Sequence, residues 1–356
     1  MSETPRPSEV LDTEDAVCPL PILLTREALK GLEPGQVLKI ITRDPATKTD
    51  IPVWANRVGN EVLRVEEEEA GGRIVFYVRK GVAKAVSEQE EDVEMSSKRV
   101  KHYRLQLRDG GLKSMESDVT LEIPVYLKVN GREVAAIMAT PNRLDDLAVG
   151  YLLDEGIVDE MNQIRRLKVR GNNVEVETDK DVSNRVKEAE KIQLITSECL
   201  SLEHYLQATA TEHLPKVQAA YQVDAEDLSR LVLEFNTQGK TDKHPGGIHS
   251  AALFEKGVLK HYVLDVSRHS AVDKVLGAGA RDQVDFSRSI IITSGRQPAS
   301  MVLKAARMNI PISASMRGPI YSGVLAAQRT GITLICYATA NRFDIYSGTD
   351  RIRLSQ

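Results

Sequence analysis

The chain has 356 residues, room for two domains, and its 42% apolar and 28% charged composition is that of an ordinary globular protein. A net charge of −4 gives no electrostatic reason to expect nucleic acid or an anionic membrane. No run approaches the roughly 18 apolar residues of a spanning helix, the N-terminus lacks a secretory pattern, and three scattered cysteines exclude a disulfide scaffold and a four-cysteine metal site. A cytoplasmic protein without a resident metal is expected, in which Cys18, Cys199 and Cys336 each need their own explanation.

Residues 9–80 read as a small unit of order βαβαββ, helices on one side of a sheet. A strand ends near Asp12, and a helix over 19–30 carries Leu24, Ala28 and Leu32 on one face. Glu33-Pro34-Gly35 turns the chain into a strand over 37–42. A second helix starts at Thr49 or Asp50, with Pro52 in its first turn, and ends at Gly59. Strands over 61–66 and 74–79 close the unit. Residues 81–98 contain Ser87-Glu88-Gln89-Glu90-Glu91-Asp92-Val93-Glu94, nearly free of apolar side chains, and read as an acidic flexible linker.

Residues 99–356 form the larger domain. The strand over 121–129 turns at Asn130-Gly131, a hairpin signal. A helix follows over 142–153, with Leu144, Leu147, Ala148 and Tyr151 on one face. Strands over 290–293 and 333–337 enclose helices near 299–308 and 320–328. This alternation predicts a three-layer α/β/α domain.

Cys18 stands directly before Pro19 at a helix start, where free amides and the helix dipole favour a thiolate. A thiolate attacks a persulfide and takes its outer sulfur. By spacing alone a buried cysteine ahead of a helix fits equally well. Cys199 closes Ile195-Thr196-Ser197-Glu198-Cys199 and precedes a helix over 202–214, again at a helix start, with His204 five residues on. Cys336 lies in an apolar β-branched run and reads as core.

Three polar segments are candidates for ligand binding. Gly246-Gly247-Ile248-His249 is a glycine turn that lets a ligand approach the backbone. Asp265 to Lys274 packs Asp265, Arg268, His269, Asp273 and Lys274 around the start of a helix that ends at Gly277, a setting for phosphate. Ser294-Gly295-Arg296 follows a strand and precedes a helix, where α/β folds place anionic ligands.

Leu11-Asp12-Thr13, Cys18-Pro19-Leu20-Pro21, Leu32-Glu33-Pro34-Gly35 and Asp44-Pro45-Ala46-Thr47 together resemble the TusA family of small sulfur carriers. That resemblance implies the βαβαββ sandwich and a persulfide on Cys18. Glu14-Asp15-Ala16-Val17 fills the loop where that family has a glycine.

Beyond residue 100, Asp146-Leu147-Ala148-Val149-Gly150, Asp154-Glu155-Gly156-Ile157, Gly246-Gly247-Ile248-His249, Arg268-His269, Asp273-Lys274, Ser294-Gly295-Arg296 and Phe343-Asp344-Ile345-Tyr346 resemble the FdhD family of formate dehydrogenase accessory sulfurtransferases. This resemblance implies a cytidine-deaminase-like core, sulfur received from a cysteine desulfurase, and delivery to the bis-molybdopterin guanine dinucleotide cofactor of formate dehydrogenase or a related molybdoenzyme. It assigns the persulfide to Cys199 and a cofactor-binding loop, past the last strand, to Tyr337, Ala338, Thr339, Ala340, Asn341 and Arg342. Here the family's second cysteine reads Leu202, the residues flanking Arg268-His269 read Ser267 and Ser270, and an arginine of the final loop reads Thr339. A homodimer is left open. Zinc deamination needs His-x-Glu and Pro-Cys-x-x-Cys, and the chain has neither. A cofactor-binding chaperone that moves no sulfur is the rival reading.

Overall fold

A computed structural model describes residues 5–16, 20–45, 47–68, 72–81, 96–107, 111–186, 214–241 and 246–354. These residues form two compact units that divide at Ser96/Ser97, with Val169–Asn173 counted in the first. The acidic run 87–94 and all but the last residue of the helix expected over 202–214 lie outside the described residues.

The first unit has strand β1 (Glu9–Thr13), helix α1 (Leu20–Lys30), β2 (Val37–Thr42), α2 (Thr47–Arg57), β3 (Glu61–Glu68) and β4 (Arg73–Arg79), in sheet order β1-β2-β4-β3. This is the βαβαββ order expected. β1 runs parallel to β2, and β4 runs antiparallel to both β2 and β3. Leu38, Ile40, Phe76 and Val78 are completely buried. α2 begins at Thr47, earlier than expected, so Pro52 sits inside it rather than in its first turn. The cause is the preceding turn. The Thr47 amide and hydroxyl both donate to the Asp44 carbonyl, at 3.1 and 2.6 Å, and start the helix there.

In the second unit, β5 (Ser97–Gln106) and β6 (Gly111–Thr120) pair as a separate two-stranded ribbon. β5 opens inside the stretch read as linker. β7 (Ile123–Val129) and β8 (Arg132–Ala139) form the expected hairpin, with Asn130 and Gly131 at φ 50° and 79°. This two-residue turn needs positive φ at both positions, which Asn-Gly supplies at low cost. With β9 (Ile164–Arg170) and β10 (Asn173–Thr178) they make a sheet ordered β8-β7-β10-β9. Helix α3 (Leu144–Asp154) lies between β8 and β9 in the chain, and a two-residue strand β11 (Val223–Asp224) leads into α4 (Ala225–Thr241).

The central sheet combines β12 (His249–Glu255), β13 (Val258–Asp265), β14 (Ser289–Thr293), β15 (Ile312–Ser315), β16 (Thr333–Thr339) and β17 (Arg342–Ser347) in the order β13-β12-β14-β15-β16-β17. β14, β15 and β16 are parallel, and the flanking strands are antiparallel. Helices α5 (Arg268–Arg281), α6 (Ala299–Arg307) and α7 (Tyr321–Thr330) supply the connections, and β18 (Ile352–Arg353) pairs with β11.

Alternate residues of each strand face opposite cores, as the two-residue period of a strand requires. Leu253, Ile291 and Leu334 pack with Val275 of α5, Val302 of α6 and Ala327 of α7. Phe254, Ile290, Ile292 and Ile335 pack with Leu228, Leu231 and Phe235 of α4. The domain is therefore the expected three-layer α/β/α arrangement. Cys336 is completely buried in the first of these cores. Burial, and behind it the Asp344 carboxylate, pushes its thiol up to about 12, so it stays protonated and serves as packing.

α5 runs to Arg281 and does not end at Gly277. Gly277 is spent on contact between helices rather than on a cap. A Cβ there would lie 1.9 Å from the Asp146 carbonyl of α3, and one on Gly150 would lie 1.8 Å from the Asp273 carbonyl. The two helices touch backbone to backbone through these glycines. Gly150→Ala should therefore cost about 2–3 kcal/mol through overpacking. Urea unfolding will measure this, and a loss under about 0.5 kcal/mol would show that the contact yields.

Candidate functional site

The carboxyl ends of β14, β15 and β16 lie on one edge of the central sheet, together with the start of β12 and the end of β13, because those two strands run antiparallel to their neighbours. Ligands of open α/β sheets bind outside this edge. It gathers His249, Arg268, Ser294, Gly295, Arg296 and Tyr337, and adds Gln297, Ser315 and Arg317, which the sequence reading did not single out.

His249 and Ser294 meet across β12 and β14, with Nδ1 and Oγ 3.2 Å apart. The Ser294 hydroxyl oxygen accepts from the Ser250 amide at 2.9 Å. Burial first, then the Arg268 guanidinium, holds His249 below the usual histidine range. A neutral imidazole either accepts from the Ser294 hydroxyl or donates to it, according to which ring nitrogen carries the proton. Gly295 lets Arg268 lie against the loop, since a Cβ there would be 2.9 Å from that of Arg268. Ser267 caps α5, its hydroxyl oxygen accepting from the Ser270 amide at 3.4 Å.

What fixes the start of α5 is a buried ion pair. Lys274 and Asp265 are both fully buried, 2.6 Å apart. Lys274 also donates to the Thr140 carbonyl and to Asn142, at 2.9 and 2.7 Å. Asp265 accepts from the Thr140 and Ser267 amides at 3.1 and 2.8 Å. Each charge is surrounded by partners, the condition under which a buried pair is tolerated. The result ties the end of β8 to the turn that presents Arg268.

His269 points elsewhere. Its Nε2 meets the Ser300 hydroxyl of α6 at 3.0 Å. Burial, then Lys304 and Arg268, lowers its pKa to about 3, so it is neutral and offers no charge to a phosphate. A histidine depressed in the fold stabilises above its unfolded value near 6.5 and loses that contribution as pH falls toward 3. The stability advantage of wild type over His269→Gln should therefore shrink by roughly 2–3 kcal/mol between pH 7 and 4.5. An unchanged difference in urea midpoints would contradict this.

Beside His269 lies a cluster centred on Lys304, which the sequence did not single out, although Asp273 stood in the candidate phosphate segment. Lys304 of α6 contacts Asp154, Glu155 and Asp273 at 2.6, 3.0 and 3.0 Å. Its ammonium also stands 5.6 Å from the centre of the Tyr151 ring. Burial alone would drive Lys304 down, but the three carboxylates overcome it and hold it well above its usual value. Burial, then Asp273, raises Asp154 far above the carboxylate range, and burial raises Asp273 as well. Asp154 and Glu155 end a helix, where the dipole disfavours acids. That is the sequence signal of a cation supplied from elsewhere.

Tyr337 has φ 51°, its amide donates to the Arg317 carbonyl at 3.2 Å, and its phenol rests where a Cβ on Gly318 would be. Tyr337 is 43% exposed, and Ile320 and Tyr321 at the start of α7 are also exposed. Tyr337–Arg342 is not a loop past the last strand. β16 continues to Thr339 and pairs with β17, which makes the segment a hairpin with a register shift between Cys336 and Thr339. The Thr339 hydroxyl donates to the Arg342 carbonyl at 3.3 Å and accepts from the Asn341 amide at 3.3 Å. Ser229 of α4 donates to the Ala340 carbonyl, Ala338 is buried against the α4 side, and Arg342 pairs with Asp344 at 3.7 Å. Tyr337 thus joins the edge, while the hairpin tip leans on the opposite helix layer.

Gly246 and Gly247 are exposed, Gly247 at φ 84°. Cys18, Cys199, Leu202 and His204 lie outside the described residues. On the first unit, Glu14, just ahead of Cys18, is held by Arg43 and Arg73 at 3.2 and 2.8 Å. Among the described residues no group of His, Cys, Asp and Glu is arranged to hold a metal ion, and no helix is long and apolar enough to cross a membrane.

Residues 9–80 match the model of the sulfurtransferase TusA, and residues 120–353 match that of the FdhD/NarQ family. A relative from Methanothermobacter thermautotrophicus, named sulfur carrier protein FdhD, is 35% identical over 237 residues, 66% of this chain and 91% of the relative. A protein of the same name from Listeria monocytogenes is 27% identical over 257 residues, 71% of this chain and 98% of the relative. A crystal structure from Desulfotalea psychrophila, named for a formate dehydrogenase accessory protein, superposes with a TM-score of 0.58 at 25% identity, covering 72% of this chain and all of the other. The order of the two matches along one chain, and the extent of the second, show that this protein belongs to the FdhD/NarQ family and carries a TusA-like unit ahead of it.

Proposed function

We propose that this protein relays sulfane sulfur from a cysteine desulfurase to the bis-molybdopterin guanine dinucleotide cofactor used by formate dehydrogenase or a related molybdoenzyme. Sulfur enters on Cys18 and moves to Cys199. In that step the Cys199 thiolate bonds to the outer sulfur of the Cys18 persulfide, the Cys18 S–S bond breaks, and Cys18 leaves as a thiolate. One S–S bond replaces another, so no external oxidant or reductant enters.

The observation that carries this reading is the presence, in one chain, of a sulfur-carrier unit and an FdhD unit, and an arginine-bearing sheet edge in the latter supports it. Arg268, Arg296 and Arg317 surround glycine-bearing turns there, and α5 and α6 begin there. Guanidinium groups and helix starts suit phosphate oxygens, and Tyr337 offers a ring face to a purine or pterin. The cofactor is cargo, and its guanosine diphosphate ends are the part this edge holds. Calorimetry with GDP tests the reading. Wild type should bind and Arg268→Ala should bind at least tenfold more weakly, the loss of about one charged hydrogen bond. Folded wild type that fails to bind GDP would contradict it.

Joining the units should matter through proximity. Two units joined in one chain by a short connection see each other at an effective concentration of about a millimolar. Cleavage between residues 81 and 95 should slow Cys18-to-Cys199 transfer at nanomolar protein. Equal rates for cut and intact chains would exclude a tethered relay. A chaperone that binds the cofactor without moving sulfur is favoured only by Leu202, which stands where a second cysteine is usual.

A further inference from the structure

The turn after β14 is held by two buried polar side chains. The Ser315 hydroxyl donates to the Gly295 carbonyl at 2.6 Å and accepts from the Arg317 amide at 3.0 Å. The Gln297 side-chain amide donates to the Thr293 hydroxyl at 2.7 Å and to the same Gly295 carbonyl at 3.3 Å. Ser315 and Gln297 are 0% and 1% exposed. The Gln297 backbone ties the turn to its neighbour, since its amide donates to the Gly318 carbonyl at 3.2 Å and its carbonyl accepts from the Ile320 amide at 3.0 Å. Gly323 of α7 permits this, because a Cβ there would sit 2.1 Å from the Gln297 carbonyl oxygen.

These contacts set a direction. In a trans peptide the carbonyl of one residue and the N–H of the next point opposite ways. The Gly295 carbonyl is drawn inward by Ser315 and Gln297, so the Arg296 N–H is turned away from both, toward the outside of the edge where the exposed Arg296 side chain lies. Among the described residues none accepts from that amide. We propose that Ser315 and Gln297 are positioning residues that aim the Arg296 amide at the phosphate of the bound nucleotide. The inference rests on the anion-binding reading of this edge and adds the residues that orient it. Neither residue touches the ligand. Each acts through the Gly295–Arg296 peptide, and Ser315 also locks the Arg317 turn, so both arginine-bearing turns are set by one hydroxyl.

The test is GDP titration of the full chain by calorimetry and by amide NMR. In wild type the Arg296 amide resonance should move on adding GDP. Ser315→Ala, still folded by its thermal transition, should bind GDP roughly tenfold more weakly and lose the Arg296 shift. Ser315→Thr, which keeps the hydroxyl, should restore both. Thr293→Val serves as a second variant if Ser315→Ala unfolds. It removes one anchor of Gln297 and should weaken binding about threefold. Wild-type affinity and an unchanged Arg296 shift in Ser315→Ala, or in Thr293→Val where that replaces it, would overturn the positioning role while leaving GDP binding standing. No binding by wild type would overturn the functional reading, and the positioning role with it.

Discussion

Cys199→Ser is expected to abolish sulfur delivery. A hydroxyl cannot carry a persulfide, and Leu202 leaves no thiol three residues on to replace it. Serine is nearly isosteric with cysteine, so the variant should fold and keep its affinity for GDP. That separates lost chemistry from lost structure. Cys18→Ser should reduce delivery less, because a desulfurase can load Cys199 directly. Restoration of formate dehydrogenase activity in a strain lacking its own accessory protein is the readout. Full restoration by Cys199→Ser would remove Cys199 from the pathway. Cys336 is the internal control. It is fully buried and its thiol stays protonated up to about 12, so Cys336→Ser should leave delivery intact.

The largest stability effect is expected at Lys304. Replacing it with methionine keeps the volume and leaves Asp154, Asp273 and Glu155 without their cation. Breaking a buried pair from one side costs about 3–5 kcal/mol. The pH dependence gives the signature. Removing the lysine raises the carboxylates further in the fold than in the unfolded chain, so the folded state holds the extra protons. Stability of Lys304→Met should therefore recover as pH falls from 7 toward 5, relative to wild type. Urea unfolding at both pH values checks the magnitude and the sign together. A loss below about 1 kcal/mol with no pH dependence would mean that the cluster is solvated and dispensable.

Much of this architecture was legible in the sequence wherever local signals and the tertiary fold agreed. Asn130-Gly131 announced its hairpin because both residues tolerate positive φ. Ile290–Thr293 and Thr333–Cys336 announced core strands because both faces are buried. The misses have physical causes. Gly277 looked like a helix end because sequence alone cannot tell a capping glycine from one that admits a neighbouring helix. β15, Ile312-Ser313-Ala314-Ser315, is four residues long and half serine, both serines are buried, and the turns use the Ser315 hydroxyl. The β5–β6 ribbon has no core face, so it lacks the alternation that marks a half-buried strand.

The site divides in the same way. Ser294-Gly295-Arg296 could be read from its place between strand and helix. Gln297 and Ser315 could not, because single polar residues in apolar surroundings give no periodic signal. Lys304 meets Asp154 from 150 positions away in the chain, a pairing that only the folded chain creates. The Arg268-His269 pair looked like one phosphate site from its composition. The fold splits it, sending Arg268 to the sheet edge and His269 to the buried cluster.

The central claim is that sulfur rests on Cys199. Intact-mass and peptide mass spectrometry after loading by a cysteine desulfurase test it most directly. With no second cysteine at position 202 to expel it by closing a disulfide, the added sulfur should persist, as about 32 Da on the peptide containing Cys199. In a pulse–chase it should appear first on the Cys18 peptide and then on that of Cys199. Added sulfur found on Cys18 alone, with the Cys199 peptide unmodified while the cofactor is sulfurated, would contradict the account.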